Sequence, residues 1–170
     1  MDTDIVKLST DWAKAEVFSG KMVGLFSALT IFTAIGFWYL GKTAMAKAFV
    51  WPLLVAGFFL FAVGAGLFFA NRPRVARFEK AYRQNPGAFV QQEIQRTAES
   101  QKQLTLVFRI LPLIIIIAAL IILLLPDFHH WRAIGITVIA TAAFLMVVDS
   151  NTDSRNIIYH SQLSLSHLRA

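Results

Sequence analysis

Four apolar stretches, at residues 22–40, 48–70, 104–125 and 131–149, are separated by segments in which charged and turn-forming residues return. A helix needs about 20 apolar residues to cross about 30 Å of hydrocarbon. The pattern therefore predicts an all-α integral membrane protein, a four-helix bundle with four spans. Arg109 is the one charge well inside a stretch, and Asp149 ends the fourth.

The polar segment 71–103 does not read as a loop. Val75, Phe78 and Tyr82 share one helical face, Val90 and Ile94 begin another, and Asn85-Pro86-Gly87 between them is a strong turn signal. Spans two and three are expected to run on as a cytoplasmic helical hairpin, with arms of roughly 20–25 Å at 1.5 Å per residue. Residues 2–19 place Ile5, Leu8, Trp12 and Ala15 on one face, with Lys7 and Lys14 opposite and Glu16 interrupting. That predicts an N-terminal interfacial helix lying along the membrane surface. Ser150-Asn151-Thr152-Asp153 are capping residue types. They predict a break after the fourth span, then a short amphipathic helix within the tail 150–170. All of this forms one domain, 1–170.

The basic residues orient the spans. Lys7, Lys14 and Lys21, the cluster Arg72, Arg74, Arg77, Lys80 and Arg83, then Arg96, Lys102, Arg109, Arg155 and Arg169 fall on one side. Only Lys42, Lys47 and Arg132 fall on the other. Positive residues stay inside, so both termini and the hairpin are expected in the cytoplasm, in a bacterial-type inner membrane. Trp38, Tyr39, Trp51 and Trp131 gather at the opposite interface, where amphipathic rings settle. The same asymmetry disfavours a dual-topology exporter. Ala44-Met45-Ala46 resembles a cleavage site. The preceding tail is slightly acidic, however, and the apolar stretch exceeds the about 7–15 residues of a signal peptide. The first helix is expected to remain.

Composition agrees: 56% of residues are apolar and 15% charged, against roughly 45–50% and about 25% in soluble domains. The net charge of +6 sits beside the spans, which points to membrane surfaces and away from nucleic acid. There is no cysteine, so disulfides and thiolate chemistry are excluded.

Small residues give two candidate packing faces, Ala62-Gly66-Ala70 in the second span and Ala133-Thr137-Thr141 in the fourth. Spacing of this kind lets helices approach closely, within the chain or between subunits. Arg109 and Asp149 are equidistant from the turn at His129, so they should lie at equal depth and form an ion pair. That pair either locks the hairpin or forms a lipid, ion or partner site. The cluster Arg72, Arg74, Arg77, Lys80 and Arg83 suits anionic headgroups or a protein partner. Proline at 112 should kink the third span.

Catalytic and cofactor signals are sparse. Glycine-rich phosphate loops, HExxH and GxSxG are absent, and Ser27 has no evident base. No histidine lies within a span, which disfavours a haem bundle. No acidic residue lies in mid-membrane, which disfavours a proton-coupled carrier. Asp127, His129 and His130 read as an interfacial turn before a metal site, and the pair His160 and His167 lacks carboxylate company. No cofactor, metal or catalytic residue is expected.

The layout, four short-looped spans with both ends inside, resembles that of immunity proteins against pore-forming bacteriocins and secreted membrane toxins. The resemblance implies an intramembrane binder without enzyme chemistry. The expected function is a non-enzymatic interaction protein (immunity-like, accessory or lipid-sensing), bound to anionic membrane lipids and to another membrane protein or a second copy of itself. The alternative is a homo-oligomeric ion channel or small transporter, for which Thr30, Thr33, Thr137 and Thr141 are the available polar positions. A membrane enzyme ranks last.

Overall fold

The computed structural model describes residues 2–168 of the chain; Arg169 and the side chain of His167 lie outside the described set. The chain folds as α1 (Asp2–Leu40), the short α2 (Ala44–Ala48), α3 (Val50–Gln84), α4 (Pro86–Leu124) and α5 (His129–Leu168). The four long helices have 35 to 40 residues, which makes them about 52–60 Å long at 1.5 Å per residue. That is nearly twice the thickness of a hydrocarbon core. Four helices are long and apolar enough to cross a membrane, the build of a multi-pass membrane protein. Their polar halves project beyond the spans at the end that carries both termini.

Two sequence expectations are corrected here. Residues 2–19 do not form a separate interfacial helix, because α1 runs unbroken into the first span. Its polar stripe of Ser9, Glu16 and Ser19 is buried against other helices, so the segment stands within a bundle and does not lie on a surface. Nor does the chain break at 150–153, since α5 is continuous. The capping-type side chains there turn back into the helix. Asn151 Nδ2 donates to Val147 O at 2.9 Å and Ser154 Oγ to Ser150 O at 2.9 Å, a pattern that competes with capping.

The turn at 85 does separate two helices. Asn85 is extended (φ −155°, ψ 94°), its Oδ1 accepts from Ala88 N at 3.0 Å, and Pro86 opens α4. A proline loses nothing there because that N–H has no intrahelical partner. Pro112, in contrast, lies inside α4 without ending it.

The helices pair as α1 with α3 and α4 with α5, while the two pairs touch each other more lightly. The α1–α3 crossing is built on glycine. A Cβ on Gly64 would lie 2.9 Å from Gly24 N and 3.0 Å from Gly20 O, and one on Gly20 2.9 Å from Phe68 N. Farther along, Ser27 Oγ donates to Gly57 O at 2.8 Å. The candidate ridge Ala62-Gly66-Ala70 takes no part in this crossing. All three residues are exposed, and a Cβ on Gly66 would meet nothing within 4 Å. In the other pair, a Cβ on Gly135 would lie 2.6 Å from Ile122 Cγ1 and 3.1 Å from Ala118 O. Ala133 and Thr137 are buried and Thr141 is half-buried.

Replacing Ser27 by Ala removes one interhelical hydrogen bond in an apolar setting. Such bonds contribute about 0.6 kcal/mol on average in membranes. A small fall in thermal midpoint in detergent is the expected outcome; an unchanged midpoint would remove this bond from the account.

Candidate functional site

Beyond the spans the four helices converge on a core that is partly aromatic and partly polar. Trp12, Phe78, Tyr82, Phe89, Val90, Tyr159 and Leu163 are buried together. Trp12 stacks on Tyr159 with centroids 5.5 Å apart. The indole Nε1 donates to Asn156 Oδ1 at 3.0 Å, and Asn156 Nδ2 donates to Ser100 Oγ at 2.8 Å. The Tyr159 hydroxyl lies 2.8 Å from Ser9 Oγ and 2.9 Å from Glu93 Oε2. A carboxylate only accepts, so the phenol gives its proton to Glu93. Burial and the Glu93 charge both push the Tyr159 phenol well above its ordinary range, which keeps it a donor. Arg96 binds the same carboxylate bidentately, Nη2 to Oε2 at 2.7 Å and Nε to Oε1 at 3.0 Å. Its guanidinium also sits 4.1 Å from the Trp12 ring centroid, within cation–π range. Thr97 Oγ1 lies 2.8 Å from His160 Nδ1.

A second cluster lies one turn nearer the membrane. Glu16, 2% exposed, accepts from Arg155 Nη2 at 2.8 Å, and the same nitrogen donates to Ser19 Oγ at 2.8 Å. Removing one partner of a buried pair costs more than removing both. Arg155→Met should therefore lower stability by about 2–4 kcal/mol, reduced from the fully buried case because Arg155 is partly exposed. The double variant Glu16→Leu/Arg155→Met should recover much of that loss. A double variant as unstable as the single one, by thermal melting in detergent, would count against this pairing.

Above these clusters, where the helices enter the apolar zone, a cavity of about 460 Å³ opens. It is walled by Glu16 from α1, Leu67, Asn71 and Arg74 from α3, Ser100, Gln103 and Val107 from α4, and Asp149 from α5. Arg74 Nη1 donates to Asn71 Oδ1 at 2.8 Å. A second, apolar cavity of about 530 Å³ lies deeper, between α3, α4 and α5. Pro52, Val55, Phe59, Leu111, Ile114 and Thr137 help to line it.

The expected pair of Arg109 and Asp149 is corrected: no ion pair or hydrogen bond joins them. Equal depth is not enough. The buried stripe of α4 runs through Glu93, Thr97, Leu104 and Ala118, and a residue five positions past Leu104 is turned about 140° from it, from 3.6 residues per turn. Arg109 is therefore exposed, while Asp149 is half-buried in the cavity wall. Of the basic cluster, Arg72, Arg77, Lys80 and Arg83 are exposed and Arg74 is half-buried. Arg72 lies 5.5 Å from the Phe68 ring centroid, and Arg83 pairs with Glu79 at 2.7 Å. Asp127, His129 and His130 are all exposed. Among the described residues no group of three His, Asp or Glu side chains is placed to hold a metal ion.

Sequence reasoning passed over Glu93, Asn156 and Tyr159, and read Glu16 only as an interruption and Arg96 only as an orienting charge, although these residues tie the extramembrane helices together. One signal was present: Ser9, Glu16, Ser19, Val23 and Ser27 continue a single stripe at spacings of seven, three, four and four residues across the membrane boundary.

No protein-family model matches the chain, and no curated protein or solved structure matches it either.

Proposed function

We propose that this chain is a non-enzymatic interaction protein of a bacterial-type inner membrane, with both termini cytoplasmic, that works by docking a second membrane protein against its spans. The observation that carries the reading is the exposed ridge Ala62-Gly66-Ala70. Small residues facing lipid contribute little to a monomer, whereas they let a neighbouring helix approach closely enough for dispersion to hold it. Arg109 adds a second incentive. It is exposed within an apolar span, where a carboxylate on a partner or a lipid phosphate would lower its cost. The exposed cations Arg72, Arg77, Lys80 and Arg83 would hold the base of the protein to anionic headgroups, at about 1 kcal/mol each. The buried ionisable groups of the extramembrane bundle are engaged with one another, which suits scaffolding and leaves them unsuited to turning over a substrate.

The test is photo-crosslinking from Ala62 and Gly66 in membranes of cells that make the protein. A discrete protein adduct at both positions is expected. Lipid adducts alone would overturn the reading. Saturable, ion-selective flux through proteoliposomes that is lost in Arg109→Ala would replace it with the channel reading.

A further inference from the structure

The cavity at the membrane boundary holds charges that the protein leaves uncompensated. Of its five charged walls, Glu16 is neutralised by Arg155 at 2.8 Å, Arg96 by Glu93 at 2.7 Å, and Glu99 is exposed to solvent. Among the described residues neither Arg74 nor Asp149 forms an ion pair. Arg74 donates only to the neutral Asn71 amide, and Asp149 accepts no hydrogen bond from the protein. Both are half-buried and both face the same space. A half-buried guanidinium and a half-buried carboxylate that do not meet each other can each be satisfied by one small zwitterion set between them.

The place of the cavity limits what that zwitterion can be. Its walls pass from charged to apolar within a few turns. On α3 the order is Arg74, Asn71, Leu67, and on α4 Val107 is followed one turn later by Leu111, which lines the deeper apolar cavity. A polar end at the boundary and an apolar groove behind it match an amphiphile standing upright in the bilayer.

We propose that this cavity binds an amino-phospholipid, with its phosphate on Arg74, its primary ammonium on Asp149 and one acyl chain in the groove between α3 and α4. The assignment is independent of the protein-docking reading, because the exposed ridge does not line the cavity. A phosphate accepts readily from a guanidinium. A primary ammonium offers three donors to a carboxylate, whereas a trimethylated one offers none. The site should therefore rank phosphatidylethanolamine above phosphatidylcholine, and it should also rank it above phosphatidylglycerol, which brings no cation to Asp149.

The full-length protein, purified in detergent and delipidated, would be titrated with each lipid and read by native mass spectrometry. Phosphatidylethanolamine should bind the unsubstituted protein about tenfold more tightly than the other two, the discrimination of one charge-assisted contact. Arg74→Gln and Asp149→Asn should each weaken it by a similar factor, while Lys14→Gln, an exposed cation outside the cavity, should not. Glycerophosphoethanolamine, the headgroup without chains, should not bind. Equal affinity for the three lipids, or preference for phosphatidylglycerol, would overturn the proposal on the unsubstituted protein alone. So would tight binding of the chainless headgroup, or a Lys14→Gln loss equal to that of Arg74→Gln.

Discussion

Tyr159→Ala is expected to remove about 3–5 kcal/mol of stability, the range for truncating a large buried aromatic side chain. Tyr159 is 1% exposed and stacks on Trp12, so its removal opens a void where the polar halves of α1 and α5 meet. The hydroxyl contributes separately. Tyr159→Phe keeps the ring and leaves Glu93 still held bidentately by Arg96, so its cost should be limited to that of one hydrogen bond to a charged group, about 1.5–3 kcal/mol. The damage from the Ala variant should also be local. The spans are held by their own contacts at Gly20, Gly64, Ala118 and Gly135, while the extramembrane halves depend on the Trp12–Tyr159 core. Limited proteolysis should cut Tyr159→Ala first at Arg96 or Arg155, residues the intact bundle holds in hydrogen bonds. A variant that melts with the parent protein and keeps its protease resistance would show that this core does not hold the helices together.

The membrane spans were legible because length and hydropathy act over about 20 residues and need no partner. The turn at Asn85 was legible because its chemistry is local: an amide that caps and a proline that starts a helix. The continuity of α1 and α5 was not. Ser, Thr, Asn and Asp read as caps when taken alone, yet they tolerate helix interiors when their side chains donate to the preceding turn, as Asn151 and Ser154 do. The buried face of α1 was half legible. Trp12, on the apolar face of the expected surface helix, is buried against other helices instead, and Glu16, read as an interruption, lies at the centre of the buried stripe. A lone helical wheel charges a carboxylate against the core, because Arg155 arrives from a helix about 140 residues later in sequence. The ion pair expected at Arg109 failed for a related reason. Counting residues from a turn fixes depth, while the direction a side chain points depends on which stripe of the helix is buried.

Gly64→Leu is expected to be among the most damaging substitutions in the spans. The added Cβ alone would stand 2.9 Å from Gly24 N and 3.0 Å from Gly20 O, and both are backbone atoms of a regular helix that cannot rotate away. Overpacking of side chains against side chains costs about 1–3 kcal/mol. Here relief requires α1 and α3 to part along the crossing, so the cost should reach or exceed the top of that range. Gly66→Leu is the matched control. It adds the same bulk to the same helix two residues away, where nothing lies within 4 Å, and it should change the thermal midpoint of the purified protein by no more than a surface substitution does, within about 0.5 kcal/mol. The pair separates two uses of small residues that look alike in sequence. Gly64 serves the contact within the chain, and Gly66, on the proposed docking ridge, should matter only when a partner is present. Heated samples of both variants, compared by size-exclusion chromatography in detergent, give the first half of that statement. Photo-crosslinking from Ala62 in a Gly66→Leu background gives the second, with loss of the protein adduct expected although the fold persists. Equal stability of Gly64→Leu and Gly66→Leu would mean that α1 and α3 do not cross at these glycines.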